Sequence, residues 1–420
     1  MPGRLSGRKI CLVTNGHISS NPRIVKEADA LAEAGAETTV VGLQTLTMLK
    51  PFDLELVRGK RWQYHPIDVS RSSGAWTYRV RAARERVLRL LPPPAWRIPG
   101  VLENSYSRMT GVLEAALMRE PADMYIAHNL AALPAAAFAA RRFAARLGFD
   151  AEDYHAGELP DVPGHERASL RTRAIEDRYF PACRHLTAAS PDIADCYMQR
   201  YGRSVASILN VFPLAERPAN RAATAAPGAA AGSLYWFSQT IGPGRGLEQM
   251  LDILGLMRVR PLLQIRGTFA AGFQGALMAA ADRLGVAEQV RFLPRSAPQR
   301  MVALAAEHTL GLSIEVVDSP NRAICLGNKI FTYLLAGVPV VLSDTPAQRR
   351  LAGQLGAAAR IIDLANASEA AHELDAWISS TEQLARSRQA AWKLGERRFN
   401  WDLEKEKFLA SVEAALAAPA

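Results

Sequence analysis

The chain has 420 residues, of which 49% are hydrophobic and 22% charged, so it holds material for two ordinary domain cores and does not read as a disordered chain. Its net charge of +9 favours anionic partners. The longest uncharged apolar stretch, Ile330–Leu342, is interrupted by Gly337 and Pro339 and falls short of the roughly 18–20 residues that a membrane-spanning helix needs.

The opening segment, MPGRLSGRK, lacks the apolar core of a signal peptide and runs straight into an apolar stretch, so a cytoplasmic location is expected. Lys9–Asn15 (KICLVTN) reads as a central parallel strand ending in polar residues. A loop, GHISSNPR, follows. The next segment is a helix with Ile24, Ala28, Leu31 and Ala32 on one face, stopping at Gly35. The segment ETTVVGL is the next strand. This β-loop-α-β order argues for a parallel sheet covered by helices.

Further on, Arg79, Arg81, Arg84, Arg86 and Arg89 are interleaved with Val80, Val87, Leu88, Leu90 and Leu91. A basic amphipathic helix of this kind suits an acidic membrane surface, at the inner face of the cell membrane; a solvated helix face is the simpler alternative. There is no basic–aromatic interleaving and no reader motif, so nucleic acid is not an expected partner. Ala122–Asn129 is another strand with a polar end. An Ala-rich helix is predicted through LAALPAAAFAARRFAARLG, and a helix capped by Ser190, with Pro191 in its first turn, follows the segment LTAA.

Glu216–Gly232 is rich in Ala and Pro and reads as a linker or surface loop. The alternation then restarts with SLYWFSQ, LEQMLDILGLM, PLLQIRG, VRFLP, MVALAAEH and TLGLSIE. The organisation expected is an N-terminal domain at 1–215, a linker at 216–232, a C-terminal domain at 233–390 and a helical segment at 391–420. The four cysteines form no C-x-x-C pair and no zinc spacing, and read as reduced packing residues.

In open parallel sheets, ligands bind beyond the carboxyl ends of strands. After the first strand come Gly16, Asn21 and Arg23, where glycine permits close backbone approach. After the strand MYIA come His128 and Asn129. Beyond GFD come Glu152, Asp153, His155 and Glu158, close enough in sequence to suggest a metal but without metal-ligand spacing; hydrogen bonding to hydroxyls or to the chain itself is the better reading, and no metal is expected. In the second half, Ser238 and Gln239 end a strand. Gly242, Gly244 and Gly246 then surround Arg245 just ahead of a helix with Leu247, Leu251 and Leu254 inward. Arg266 follows another strand, and Asn328-Lys329 open a helix. A lysine where the helix dipole is already positive makes sense if an anion sits there. Three cationic elements at strand-to-helix junctions of one domain suit a diphosphate.

These blocks carry a resemblance. In order, ICLVTNGHISSNPRIVKEADALAEAG, AHNLAALPAA, AASPDIADCYMQRYG, ILNVFP, GRGLE and NKIFTYLLAGVPVVLSD resemble the retaining GT-B glycosyltransferases of family 4, over nearly the whole chain. The resemblance implies an α/β fold of two Rossmann-like domains with parallel sheets facing across a cleft and a C-terminal helix crossing back to the N-terminal domain. It implies a nucleotide-sugar donor held by the C-terminal domain and an acceptor held mostly by the N-terminal one. Arg245 matches the basic residue of the family's donor loop, which contacts the diphosphate. His128 matches a histidine near the donor sugar, and Gly16 a glycine loop near the reacting centre. Donor-binding positions are thus Gly16, Ser238, Gln239, Arg245, Arg266, Asn328, Lys329 and Thr332. His128 is the catalytic candidate, and Asn21, Arg23, Glu152 and His155 are the acceptor-side residues.

The chain departs from the family at two places. Gln239 stands where an arginine is frequent. The family's glutamate pair is replaced by Ile324 and Thr332, the second at the position that normally holds the nucleotide ribose. The function implied is transfer of a sugar from a nucleoside diphosphate to a glycan, lipid-linked or small-molecule acceptor, with retention and without cofactor or essential metal. The alternative is a non-catalytic GT-B protein serving as a binding or regulatory partner in polysaccharide assembly.

Overall fold

The computed structural model describes residues 3–219 and 232–418. The chain divides into two compact units, one of Met1–Ile208 with Lys405–Ala420, the other of Leu209–Glu404. Most of the linker expected at 216–232 lies outside the described residues.

In the first unit, seven strands form one sheet: β1 (Lys9–Thr14), β2 (Glu37–Gln44), β3 (Gln63–Asp68), β4 (Met124–His128), β5 (Arg146–Ala151), β6 (His185–Ala188) and β7 (Ala206–Ser207). Their order is β3-β2-β1-β4-β5-β6-β7, and every recorded pairing is parallel. In the second unit, β8 (Ser233–Ile241), β9 (Leu262–Phe269), β10 (Val290–Leu293), β11 (Leu310–Ser313), β12 (Val340–Ser343) and β13 (Ala359–Ile362) run in the order β10-β9-β8-β11-β12-β13, again all parallel. Each unit is therefore Rossmann-like, with its chain order reversing beside the first strand of the sheet: between β1 and β4, and between β8 and β11.

The physical reasons are those the sequence suggests. β4 is buried along its whole length, as a strand covered on both faces must be. Ser190 caps its helix by accepting a hydrogen bond from the Ile193 amide at 3.2 Å. The core of the second unit gathers Trp236, Leu247, Leu251, Leu254, Leu312 and Trp377, each almost fully buried, and each such side chain contributes about 1.5–3 kcal/mol by leaving water. The helix Asn328–Ala336 lies close on β11 because position 311 is glycine: a Cβ there would come within 2.3 Å of the Tyr333 ring. The Tyr333 hydroxyl donates to the Tyr235 carbonyl at 2.8 Å, which fixes the helix against the sheet.

Three expectations need correction. The Ala-rich helix ends at Arg142 and β5 begins at Arg146, because Ala144 adopts a left-handed φ of 51° that breaks the helix. The apolar run Val338–Leu342 reads in sequence as a strand, but the strand begins at Val340. Val338 still serves the end of the helix, its amide donating to the Tyr333 carbonyl at 2.8 Å, and Pro339 has no amide to offer. Ala32 is only partly buried, whereas Arg23, Lys26 and Glu27 of the same helix, Pro22–Glu33, are buried. Toward the C-terminus, the helix Trp401–Ala417 is tied to the first unit by Ser411, 2.9 Å from His185 Nδ1, and by Glu406 and Glu413, which pair with Arg4. Among the described residues, no helix is long and apolar enough to cross a membrane. All four cysteines are free, and burial pushes the Cys11 and Cys183 thiols well up, so they behave as packing groups.

Candidate functional site

Both sets of candidate residues fall at the switch points of their sheets, the place where open α/β sheets bind ligands.

In the second unit, β11 ends at Ser313 and delivers Glu315 beside two cations. Lys329 Nζ donates to Glu315 Oε1 at 3.3 Å, and Arg245 Nη1 lies 3.9 Å from Glu315 Oε2. Lys329 sits in the first turn of the helix Asn328–Ala336, nearly buried, with its ammonium 5.1 Å from the centre of the Trp236 ring. Arg245 is part-exposed and comes from the loop between β8 and the helix Leu247–Leu256. A third cation, Arg322, was not singled out from sequence. Its Nη1 donates to the Gly244 carbonyl at 2.6 Å and its Nε lies 3.2 Å from Asp318, so it braces the glycine loop from the far side. Arg322 lies in a short helix, Pro320–Ile324, whose N-cap is Ser319.

The remaining donor-side candidates divide. Ser238 and Gln239 lie in an irregular part of β8, where its register with β9 shifts between Phe237 and Thr240. Asn328 opens the helix that carries Lys329. Arg266 is committed elsewhere, donating to the Tyr235 hydroxyl at 2.8 Å and the Pro294 carbonyl at 2.8 Å. Thr332 is fully buried and its hydroxyl donates to the Asn328 carbonyl at 3.0 Å, inside its own helix. Beside Glu315 is a cavity of about 230 Å³ that also meets Gln249, Ser343, Asp344 and Asp363.

In the first unit, β4 and β5 place His128 and Asp150 side by side, and the helix Pro22–Glu33 brings Arg23 and Glu27 onto them. Arg23 donates to both Asp150 oxygens, at 2.5 and 2.8 Å, and to the Ile208 carbonyl at 2.5 Å. His128 Nε2 is 3.1 Å from Glu27 Oε2, and its Nδ1 is 3.4 Å from Asp150 and 3.3 Å from Glu152. Asn21 caps the helix, accepting from the amides of Arg23 and Ile24, and donates to Glu152 Oε1 at 2.5 Å. Arg23, Glu27, His128 and Asp150 are all buried; Glu152 is the partly exposed end of the group. His155 is held by Glu158 and packs on Phe149, apart from this cluster. Gly16 has open space where a Cβ would stand, so the fold itself does not require glycine there. His17, not foreseen as important, is a clamp: Nδ1 bonds Asp53 at 2.6 Å and Nε2 accepts from the Leu46 amide at 2.9 Å.

Glu27, His128 and Asp150 bring three ligand-type atoms within 4.8 Å of one another, a spacing a metal ion can use. Arg23 already holds both oxygens of Asp150 and stands 3.3 Å from Glu27, so a divalent cation would meet a fixed guanidinium. The group reads better as a buried charge network. Burial alone would lower the His128 pKa, but Glu27, Glu152 and Asp150 outweigh it and push it up to about 10. Burial likewise works against the Asp150 carboxylate, and Arg23 foremost overcomes it, bringing the pKa down to about 2. Glu27 moves upward, driven by burial and opposed mainly by His128.

A histidine raised in the fold stabilises it fully below its unfolded pKa and loses that contribution as pH climbs through the folded value. We expect the first unit to lose on the order of 1 kcal/mol per pH unit between about 6.5 and about 10. Denaturant unfolding followed across that range checks it: His128→Gln should flatten the slope.

No protein-family model matches the chain, and no curated protein matches it. Solved structures do. HepE of Anabaena, in complex with UDP-glucose, aligns with a TM-score of 0.68 at 16% identity, covering 97% of this chain and 100% of that one. Sucrose-phosphate synthase from Thermosynechococcus elongatus aligns at 0.68 with 11% identity, covering 98% and 100%. A UDP-forming α,α-trehalose-phosphate synthase from Burkholderia xenovorans aligns at 0.66 with 16% identity, covering 97% and 99%. These neighbours are GT-B glycosyltransferases, and with the two parallel sheets they establish the GT-B fold for this chain.

Proposed function

We propose that the chain is a glycosyltransferase that takes its sugar from a nucleoside diphosphate held by the second unit. The observation that carries this reading is the meeting of Arg245, Glu315 and Lys329 at the switch point between β8 and β11. A diphosphate arriving there would draw both cations, aided by the amides that open the helix Asn328–Ala336. As the sugar bond breaks, negative charge grows on the leaving phosphate, and Lys329 and Arg245 stabilise it.

The same movement would free Glu315 to accept hydroxyls. Thr332 is in no position to do so, with its hydroxyl turned onto Asn328. Asp344 is held by both nitrogens of an Arg349 fork, and Asp318 by Arg322, so Glu315 is the carboxylate best placed to replace the family's missing glutamates. In the first unit, Glu152 is the partly exposed carboxylate, and with Asn21 it would bond acceptor hydroxyls while His128 and Arg23 hold the group beneath it in place. In this reading His128 is a positioning residue. Retention, a hexosyl donor, and a glycan, lipid-linked or small-molecule acceptor belong to the same proposal, as does independence of a metal. Uridine is the first base to try, because HepE is solved with UDP and with UDP-glucose.

A second reading, a non-catalytic GT-B partner in polysaccharide assembly, draws on the Thr332 hydroxyl being spent within its helix. Thermal-shift screening against UDP, GDP, TDP, ADP and their sugars separates the two. A ligand at about 100 times its Kd adds roughly 2.7 kcal/mol of stability. A shift with one diphosphate family, together with release of that diphosphate from its sugar, supports the enzyme. No shift with any of them supports the partner.

A further inference from the structure

We infer that the helix Ala75–Leu90 docks the first unit onto an anionic lipid bilayer. The helix has no buried residue, although it is sixteen residues long. Trp76, Val80, Ala83, Val87 and Leu90 recur at spacings of four, three, four and three, so they form one narrow stripe along it. That stripe faces solvent: Trp76 is 76% exposed, Val87 61% and Leu90 75%. Arg79 and Arg86 flank it on one side and Arg84 on the other. Among the described residues, no ion pair or hydrogen bond is recorded for Arg79, Arg81, Arg84 or Arg86.

The opposite face holds the helix to the protein. Arg89 donates to the Ser105 carbonyl at 3.2 Å, and Glu85 lies 3.6 Å from Arg108. Tyr78 lies beneath Arg108, 4.5 Å from its ring centre, and accepts from it at 2.9 Å. Arg167 donates to the carbonyls of Leu90 and Leu91. The exposed stripe is therefore presented by a helix fixed along its back.

Between this helix and residues 104–115 is a cavity of about 390 Å³ lined by Arg81, Arg84 and Arg108, with Glu85 as its acidic member. Three guanidinium groups around a hollow suit a phosphate; Arg108 also donates to Tyr78 and lies 3.6 Å from Glu85, and Arg84 belongs both to the cavity and to the flank of the stripe. Charge selects the occupant. Between Arg71 and Arg97 there are seven arginines and one acidic residue, so two copies of this face would repel, whereas an anionic bilayer is attracted and also takes up the tryptophan and leucine. At about 1.5 Å per residue the helix is roughly 24 Å long, suited to lying in the interface plane.

Co-sedimentation of the full chain with vesicles tests this, using phosphatidylglycerol mixed with phosphatidylcholine against phosphatidylcholine alone. The expected result is binding to the anionic vesicles that weakens with salt. It should fall by roughly tenfold or more in Arg84→Glu/Arg86→Glu and in Trp76→Ser/Val87→Ser/Leu90→Ser. All these positions are exposed, and unchanged melting and circular dichroism would show that the variants fold. The inference is overturned by no difference between the two vesicle types, by undiminished binding in either variant, or by a dimer in sedimentation that the serine variant dissolves. Retained binding by the serine variant together with its loss to inorganic phosphate at matched ionic strength would also overturn it, assigning the cavity to soluble phosphate. Nucleotide-induced thermal shifts should be the same in wild type and both variants, since the helix belongs to the first unit and the nucleotide site to the second.

Discussion

Lys329→Ala is expected to slow sugar release from the donor by roughly 100- to 1,000-fold, the usual consequence of losing one fixed cation or donor at a developing oxyanion. The protein should remain folded. The ammonium is nearly buried, but its main partner, Glu315, keeps Arg245 within 3.9 Å and receives no new burial when the lysine side chain is shortened. The fold thus does not depend on the pair in the way that the chemistry does. Lys329→Arg should rescue little. The Lys329 ammonium stands over the Trp236 ring, 5.1 Å from its centre, and reaches one carboxylate oxygen, and a planar fork does not fit a place set for a point charge. Single-turnover kinetics at saturating donor would read the effect on the chemical step. A variant with wild-type turnover would remove Lys329 from the mechanism.

Asp150→Asn is expected to destabilise the first unit by about 3–5 kcal/mol, because it leaves the buried Arg23 charge without its counterion. Asparagine keeps the shape and one acceptor, but Arg23 donates to both oxygens of Asp150 and His128 lies 3.4 Å away. Glu27 would remain close to both cations and Glu152 beside His128, but burial works against the charged form of Glu27 and Glu152 is partly exposed. Denaturant unfolding at neutral pH measures the loss. Replacing the pair together, as Arg23→Met/Asp150→Leu, should recover much of the stability, since well-packed apolar groups frequently match a buried ion pair. If the double variant is no better than the single, the network is held by contacts other than the charge pair.

The contrast between these two sites shows what the residues could disclose in advance. The second site was legible because its chemistry is local. Glycines around Arg245 and a lysine opening a helix announce an anion-binding junction within a few positions. The parallel sheets followed from apolar runs with polar ends, and the helix after Ser190 from its cap. Arg23 and Glu27 were different. On the pattern of apolar residues they fall where a helix would meet water, and only Asp150, 127 positions from Arg23, and His128, 101 positions from Glu27, explain why both are buried. Arg322 was missed for the same reason, since its partner is a carbonyl 78 positions back. Arg266 was expected to face the diphosphate, but the tyrosine that takes it up lies on the neighbouring strand, a relation that only sheet order fixes. The early end of the Ala-rich helix left no trace in composition, because the left-handed residue is Ala144 and alanine gives no turn signal.

Hydrogen exchange of the wild-type chain with and without UDP tests the central claim most directly, since amide protection reports where a bound ligand closes the backbone. UDP should slow exchange at the loop carrying Gly244, Arg245 and Gly246 and at the first turn of the helix Asn328–Ala336, and Lys329→Ala should need more UDP to reach the same protection. Saturating UDP that leaves those amides unchanged, or protects only residues of the first unit, would contradict the account.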